Sequence, residues 1–549
     1  MPFLAEGEVS IPTKDILSWT FDDPRFDPDE PIYIDAKDSS RSISSNQARV
    51  LIRKLVAGFH AAGLKKGDCV CLHSFNDVYY PILFLGIIAA GGVFAGTNPS
   101  YTQFELVHHI KTAKTKFLIT ESIPEMLGNA VAAAKESGIP DSKVWIFDVL
   151  GDPVPRGFRS WKELLGHGER DWVRFDDEKT SKETTAARLF SSGTTGLPKA
   201  AVLSHHNFIA QHTLVHEISM KDWRARRLLC LPMFHAACVP VAHTTPLRAG
   251  QVSVIMRRFE LEPFLVNIDK FQITDIALVP PIVIAVIMSG LASKFSLKTI
   301  RAVTVGAAPL GKDSQDRMRA LFPAGTYVNQ VWGMTETSCV ASMFHYPEDD
   351  VSGSVGRMLL LLDSKIVDDD GRDITDYDVR GELCVRGPTI VKGYFENPKA
   401  NAESFDSEGF FKTGDIVYCD SKTKKWYIVD RKKELIKVRG FQVAPPELET
   451  VLLSHPHIID AAVIGVKHST EADVELPRAY VVRRDTPEGK ALDEAALKKH
   501  CGERLAKFKE LTGGVKFVDA IPKNASGKIL KRVLRDMAKD EDDKTKAKL

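Results

Sequence analysis

The sequence predicts an α/β protein: a large N-terminal domain of helix-covered mixed sheets bearing a β subdomain, followed by a small α+β C-terminal domain. Three observations predict it. Short apolar runs alternate with helical patterns between Ser44 and Val305, the signature of largely parallel sheets covered by helices. From Gly353 to Tyr427 the chain turns to short strands parted by Asp/Gly turns such as Asp370-Gly371, as in an antiparallel unit. After Asp430 a charged joint, RKKELIKVRG, opens a stretch of about 120 residues with a separate alternation, enough for an independent fold. The expected boundaries are 1–430, with the β subdomain at about 353–430, and 431–549.

Taken in order, Leu51, Leu55, Phe59 and Ala62 share one helical face behind serine caps, and a Gly-Asp turn leads into a strand at Cys69–Leu72. Residues 81–96 are nearly all apolar but short of a membrane span and hold four glycines, so a buried helix running into a strand is expected. Strands follow at 117–120, 144–148, 228–231, 252–256, 276–279 and 302–305. In the β subdomain they fall at 365–367, 382–385 and 426–429. The C-terminal domain reads as a Pro-initiated helix at 446–453 and strands at 461–466 and 479–482. A helix then carries Leu497, Cys501, Leu505 and Phe508 on one face.

Lys and Arg total 73 against 72 for Asp and Glu over 549 residues, so no net field draws the chain to nucleic acid or to an anionic membrane. Any anion site must be local. The eight cysteines show no metal spacing and no dense framework, which points to a reduced compartment. The first residues, MPFLAEGEVSIPTKD, lack the basic head and apolar core of a secretory leader.

The local anion site is the stretch LFSSGTTGLPKAAVLSHHN, 189–207. Ser191, Ser192, Gly193, Thr194, Thr195 and Gly196 are all small, and Lys199 adds a cation. Small side chains let backbone and hydroxyl donors approach a polyphosphate closely. The spacing is not the Walker pattern, whose glycines lie five apart and whose lysine precedes Ser or Thr; here Ala200 follows Lys199.

Further segments stand in one order: LPMFH (231–235), VGAAPLG (305–311), QVWGMTET (330–337), KTGD (412–415), DRKKELIKVRGFQVAPPELE (430–449) and KNASGKILKR (523–532). With the small-residue loop, the set resembles the adenylate-forming superfamily, in particular its acyl-CoA synthetase and coumarate:CoA ligase-like branch, over nearly the whole chain. The resemblance implies an ATP- and Mg²⁺-dependent carboxylic acid:CoA ligase working through an acyl-adenylate, with a small mobile C-terminal domain that alternates between two half-reactions. The rival readings are a luciferase-like oxygenase and a stand-alone amino-acid adenylating enzyme, which share these motifs. A catalytically silent nucleotide-binding module would be expected to have lost Lys528, His235 or Glu336, and all are present.

By resemblance the loop with Lys199 holds the β- and γ-phosphates, Thr335 meets the α-phosphate and Glu336 holds Mg²⁺. Gly306, Ala307 and Ala308 form the adenine wall, and Asp415 and Arg431 meet the ribose. Lys528 bridges substrate carboxylate and α-phosphate, although a lysine in a basic helix, taken alone, reads as a solvated surface residue. His235 orients the carboxylate. Lys437, Arg439 and Gly440 serve thioester formation and coenzyme A; Lys433 and Gln442 complete the nucleotide and coenzyme contacts, and Asp430 is the hinge. The acid pocket is expected from His235, Ala236, Ala237, Thr304, Gly306, Gln330, Val331 and Cys339. Hydroxycinnamate ligases carry a lysine at the place of Thr304 and Gly-Tyr at Val331-Trp332. The pocket should therefore be narrower and apolar, suited to an aryl or medium-chain acid.

The chain ends Ala547-Lys548-Leu549, one conservative step from the S-K-L address. A peroxisomal import receptor is the expected partner and the peroxisome the expected location, with the cytoplasm as the alternative. No transmembrane segment is expected.

Overall fold

Local chemistry sets each element. Ser44 and Gln47 form a reciprocal cap that starts the helix Ser45–Ala61, whose buried face is Ala48, Ile52, Leu55, Val56 and Phe59. Leu51 and Ala62 lie at its margin. The apolar run divides as expected into the helix Tyr80–Ala89 and the strand Val93–Thr97, both fully buried. The computed structural model describes all residues except 1, 2, 4, 6, 192–197, 433, 439, 440, 468–474, 506, 525, 526 and 547–549. At 437, 441, 442 and 542–546 it describes backbone alone.

Two seven-stranded sheets form the N-terminal domain. One runs Arg159–Ser160, Val144–Ile146, Thr115–Thr120, Cys69–His73, Val93–Thr97, Thr185–Ser191, Lys199–Ser204; only its last pair is antiparallel. The other runs Tyr327–Gln330, Ala302–Val305, Asp275–Leu278, Arg226–Leu229, Val252–Ile255, Pro31–Asp35, Ser42–Ser44, again parallel but for the last pair. A five-stranded antiparallel sheet follows, from Asp363–Val367 to Trp426–Arg431.

The C-terminal strands Ile458–Lys467, Glu475–Arg483 and Val515–Phe517 pack with the helices Pro445–Leu453 and Glu494–Gly502 around a core of their own, including Leu448, Leu452, Val463 and Leu497. The second of these helices stops at Gly502, so Leu505 and Phe508 reach that core from beyond it rather than from the expected helical face. Lys528 likewise precedes the last helix, Lys531–Lys546, and is not part of it. Among the described residues no helix is long and apolar enough to cross a membrane. The tail residues Ala547, Lys548 and Leu549 lie outside the described residues.

Candidate active site

A cleft of about 2300 Å³ runs between the C-terminal edges of the N-terminal sheets and the turn that carries Lys528. The antiparallel hairpin that closes the first sheet sets Ser191 opposite Lys199, and both line the cleft. Ser192, Gly193, Thr194, Thr195 and Gly196, between them in sequence, lie outside the described residues. The Lys199 ammonium stands 5.0 Å from the centre of the Tyr394 ring, a cation–π distance.

Tyr394 also bears on the acid of the site. Its hydroxyl donates to Glu336 Oε1 at 2.6 Å, while Glu336 Oε2 has no hydrogen-bond partner among the described residues and the side chain is 2% exposed. A buried carboxylate oxygen without a partner is costly unless a cation or donor arrives. Thr335 lies beside it, buried and lining the cleft. Tyr394 was not among the residues expected from sequence; an aromatic in GYFENP gives no signal of its partner.

Arg431 sits in the cleft with its Nε 2.5 Å from Asp415 Oδ1, and Trp332 Nε1 donates to Asp415 Oδ2 at 2.8 Å. Asp415 is buried behind Arg431 and does not itself line the cleft. Trp332, read from sequence only as a departure from the branch, thus supplies a donor that fixes the carboxylate. Gly306 and Ala307 line the cleft and Ala308 does not; Ala307 holds a left-handed backbone at φ +68°, strain of the kind that a non-glycine residue shows at functional sites.

His235 follows the strand Arg226–Leu229. Its Nδ1 accepts from the Ala237 N–H at 3.2 Å, which leaves the proton of the neutral ring on Nε2. Burial and then the charge of Lys528 push its pKa down to about 4. Lys528 is positioned by Asn524: the Lys528 N–H donates to Asn524 Oδ1 at 2.8 Å and the Asn524 N–H to the Lys528 carbonyl at 2.9 Å. Burial lowers the pKa of Lys528 and Arg431 lowers it further, while Asp415, Glu434 and Glu336 oppose the shift. One ammonium from the C-terminal domain therefore feels a histidine and two carboxylates of the N-terminal domain, and an arginine at the border between the two. Gly527, at φ +79°, makes the docking possible, since a Cβ there would lie 2.9 Å from Pro281 Cγ.

The acid side is built from one face of the second sheet. Strand alternation puts Leu229, Ala277, Thr304 and Asn329 in one row across it, with Gly306 and Val331 toward the nucleotide end, and all of them line the cleft. Ala237 and Cys339 line it too, joined by a Cys339 Sγ to Ala237 carbonyl contact of 3.6 Å. Two expected pocket residues do not. Gln330 points to the opposite face, where its amide accepts from the Leu310 N–H at 2.9 Å and donates to the Leu310 carbonyl and to Gln315 Oε1. Ala236 is buried in the core. The wall residues missed are Leu229, Ala277 and Asn329, the last of which the period of two places in the row that Gln330 cannot occupy.

Asp430 ends the strand Trp426–Arg431. It is buried, its Oδ1 accepts from the Arg431 N–H at 2.7 Å, and burial raises its carboxyl pKa to about 7. Lys437 and Gln442 are cross-strand partners in the hairpin Ile436–Val438 and Phe441–Val443, with side chains outside the description. Lys433, Arg439 and Gly440 lie outside the described residues.

The fold thus sets one lysine of the smaller C-terminal region, Lys528, into a cleft of the larger N-terminal region. Residues 22–395 match the family model of the AMP-binding enzymes, and 447–528 that of the AMP-binding enzyme C-terminal domain. The chain is 53% identical over 540 residues to the phenylacetyl-CoA ligase epaB of Aspergillus niger, covering 98% of this chain and 99% of that one. ATP-bound MatB from Rhodopseudomonas palustris superposes with a TM-score of 0.83 at 28% identity, over 96% of this chain and 99% of that one. MatB without ligand gives 0.73 at the same identity and coverage. The chain belongs to the AMP-binding enzymes, and within that adenylate-forming superfamily to the acyl-CoA synthetases.

Proposed function

We propose that the cleft joins an aryl or medium-chain carboxylic acid to coenzyme A, with ATP cleaved to AMP and pyrophosphate. The carrying observation is Lys528, a C-terminal-domain ammonium that lines the same cleft as His235, Arg431 and Glu336. A carboxylate oxygen attacks the α-phosphorus, the bond to the bridging oxygen breaks and pyrophosphate leaves. The thiol of coenzyme A then gives its proton to solvent, its sulfur bonds to the acyl carbon, the bond from that carbon to the adenylate oxygen breaks, and AMP departs. Neither step needs a covalent enzyme nucleophile, so the residues act by position and charge.

Lys528 spans the acid carboxylate and the α-phosphate, where negative charge from two reactants is brought together. His235, neutral and carrying its proton on Nε2, donates to the acid carboxylate. Ser191 to Gly196 and Lys199 cradle the β- and γ-phosphates. Thr335 meets the α-phosphate, Gly306 and Ala307 flank adenine, and Arg431 with Asp415 behind it meets ribose. Glu336 fits Mg²⁺, because its Oε2 is a buried oxygen without a partner among the described residues and Mg²⁺ takes oxygen ligands. Bound there, the ion would neutralise phosphate charge. The better match to ATP-bound than to ligand-free MatB supports reading this arrangement as the adenylating one. A turn about Asp430 would then bring Lys437, Arg439 and Gly440 to the thiol step. The phenylacetate of the Aspergillus niger relative supports an aryl acid. The tripeptide Ala547-Lys548-Leu549 supports peroxisomal import through its receptor. Deleting it should leave activity intact and disperse the protein, and a cytosolic wild type would refute the address.

The direct test measures pyrophosphate release and thiol loss over a panel of aryl, short and medium-chain acids with ATP, Mg²⁺ and coenzyme A. Acid-dependent pyrophosphate with stoichiometric thiol loss is expected. Absence of both for every acid overturns the reading.

A further inference from the structure

The face of the second sheet that lines the cleft does not stay apolar along its length. Below the row of Leu229, Ala277, Thr304 and Asn329 lies a second row, Arg227, Asp275, Ala302 and Tyr327, in register across the same four strands, and it lines the same cavity. From Val331 to Tyr327 is four residues, about 13 Å of strand at ~3.3 Å each. An acid whose carboxylate sits near His235 and Gly306 therefore runs along an uncharged row toward a charged one.

The charges at that end do not cancel locally. Lys221 is ion-paired with Asp275, which also accepts from Trp223 Nε1 at 2.8 Å and Thr274 Oγ1 at 2.7 Å. Arg248 faces Glu217 at 3.7 Å, and Arg224 is paired with Glu30. Arg227 alone of these cations has no ion pair among the described residues. Its Nε donates to Gln251 Oε1 at 3.1 Å, and its two terminal nitrogens make no hydrogen bond among the described residues. His216, which lines the cavity beside it, is held neutral by burial and by the Arg227 charge and supplies no counter-charge. The charge that supports Arg227 is Asp275, its partner across the strands, which is already ion-paired with Lys221, so two cations share one carboxylate; a half-buried guanidinium with a free fork in such a place is built for a further carboxylate.

We propose that Arg227 binds a second carboxylate at the far end of the substrate, so that the preferred acids are dicarboxylic, either aliphatic of medium length or aryl with the carboxylates at opposite ends. This rests on the acid:CoA ligase reading and adds the class of acid. No bond is made or broken at Arg227; it selects the tail while the other carboxylate reacts.

The test compares suberate, azelate and sebacate with octanoate, nonanoate and decanoate, and terephthalate and 4-carboxyphenylacetate with benzoate and phenylacetate. The readout is pyrophosphate release, using wild type, Arg227→Met and Arg227→Lys, with Tm measured for each. The wild-type kcat/KM for at least one diacid should exceed that of its matched monoacid by about 10²-fold, less than the roughly 10⁴-fold that a fully enclosed hydrogen-bonding site achieves over an analogue lacking the group, because Arg227 is only half-buried. Arg227→Met should reduce that ratio to about one by raising KM for the diacid, and Arg227→Lys should restore part of it. If the wild type prefers every monoacid, or Arg227→Met leaves the ratio unchanged, the tail site is wrong and the ligase stands. If neither series releases pyrophosphate, the ligase reading falls and the tail site with it. An Arg227→Met protein too unstable to assay leaves the wild-type ratio and Arg227→Lys to decide.

Discussion

Lys528 carries its charge into a place already holding Arg431, and burial and that neighbour both lower its pKa. On the proposed mechanism, a cation held there against its own solvation would stabilise a reaction that gathers carboxylate and phosphate oxygens. Lys528→Ala is expected to lower acid-dependent pyrophosphate–ATP exchange by about 10²–10³, the size of one lost charge-stabilising contact. Thioester formation from a supplied acyl-adenylate should be retained, and equal loss in both assays would refute separate roles for the domain's two faces. Glu336 makes a second prediction at this scale. Replacing it by Gln keeps the acceptor for the Tyr394 hydroxyl, which now bonds Oε1 at 2.6 Å, but removes the charge that an oxygen-seeking cation needs. The Mg²⁺ concentration for half-maximal rate should rise about tenfold or more with little change in Tm. An unchanged magnesium titration would remove Glu336 as the ligand.

At the scale of elements, the residue types of the site are legible in the sequence because small loops, GMTE and SGK segments keep fixed order. Which way each side chain faces is less legible. Gln330 and Val331 are adjacent in the motif, yet the strand pleat sends one to the core and the other to the cleft; only counting alternate residues along Tyr327–Gln330 separates them. Tyr394 and Glu336, 58 residues apart, meet through the fold and leave no local trace. Val331 crowds Gly306, where a Cβ would lie 3.0 Å from its Cγ2. Val331→Gly should therefore raise kcat/KM for a bulkier aryl acid such as a hydroxycinnamate, relative to phenylacetate, by about tenfold; an unaltered ratio would take Val331 out of the wall. The turn at Gly527 is an element of the same weight. Gly527→Ala both strains a backbone at φ +79° and presses on Pro281, so adenylation should fall with the C-terminal domain still folded. Thioester formation from the adenylate should suffer less, and a rate unaffected in both assays would mean that the turn docks some other way.

For the whole molecule, the alternation that predicts two helix-covered sheets also predicts how the chain answers to acid. Strands and helices packed in layers leave little water for their polar side chains, and the histidines show it. Burial is the leading cause that pushes the pKa of His73, His206 and His235 down to about 4 and that of His109, His205, His212 and His243 to about 3. All seven lie between residues 73 and 243, so the effect belongs to the N-terminal domain. Unfolded imidazoles take up protons near pH 6.5, whereas these folded ones wait until about pH 4 or 3. Across that interval the unfolded chain binds more protons, and stability falls as the pH falls, by at most about 1.4 kcal/mol per pH unit for each histidine. The carboxyls of Asp15, Asp77 and Asp430, raised by burial, act in the opposite sense, losing stability as the pH rises through their own range. They are fewer, and only that of Asp430 reaches about 7. The urea midpoint of the N-terminal domain, followed by circular dichroism, is therefore expected to drop between pH 7 and pH 5. The single replacement His243→Gln, which removes a ring stacked 4.4 Å from Phe84, should flatten part of that slope even as it lowers the midpoint at pH 7. A midpoint that holds steady or rises on acidification would mean that these rings are hydrated in the folded protein, and that the two sheets are packed less tightly than the alternation of apolar strands and helices requires.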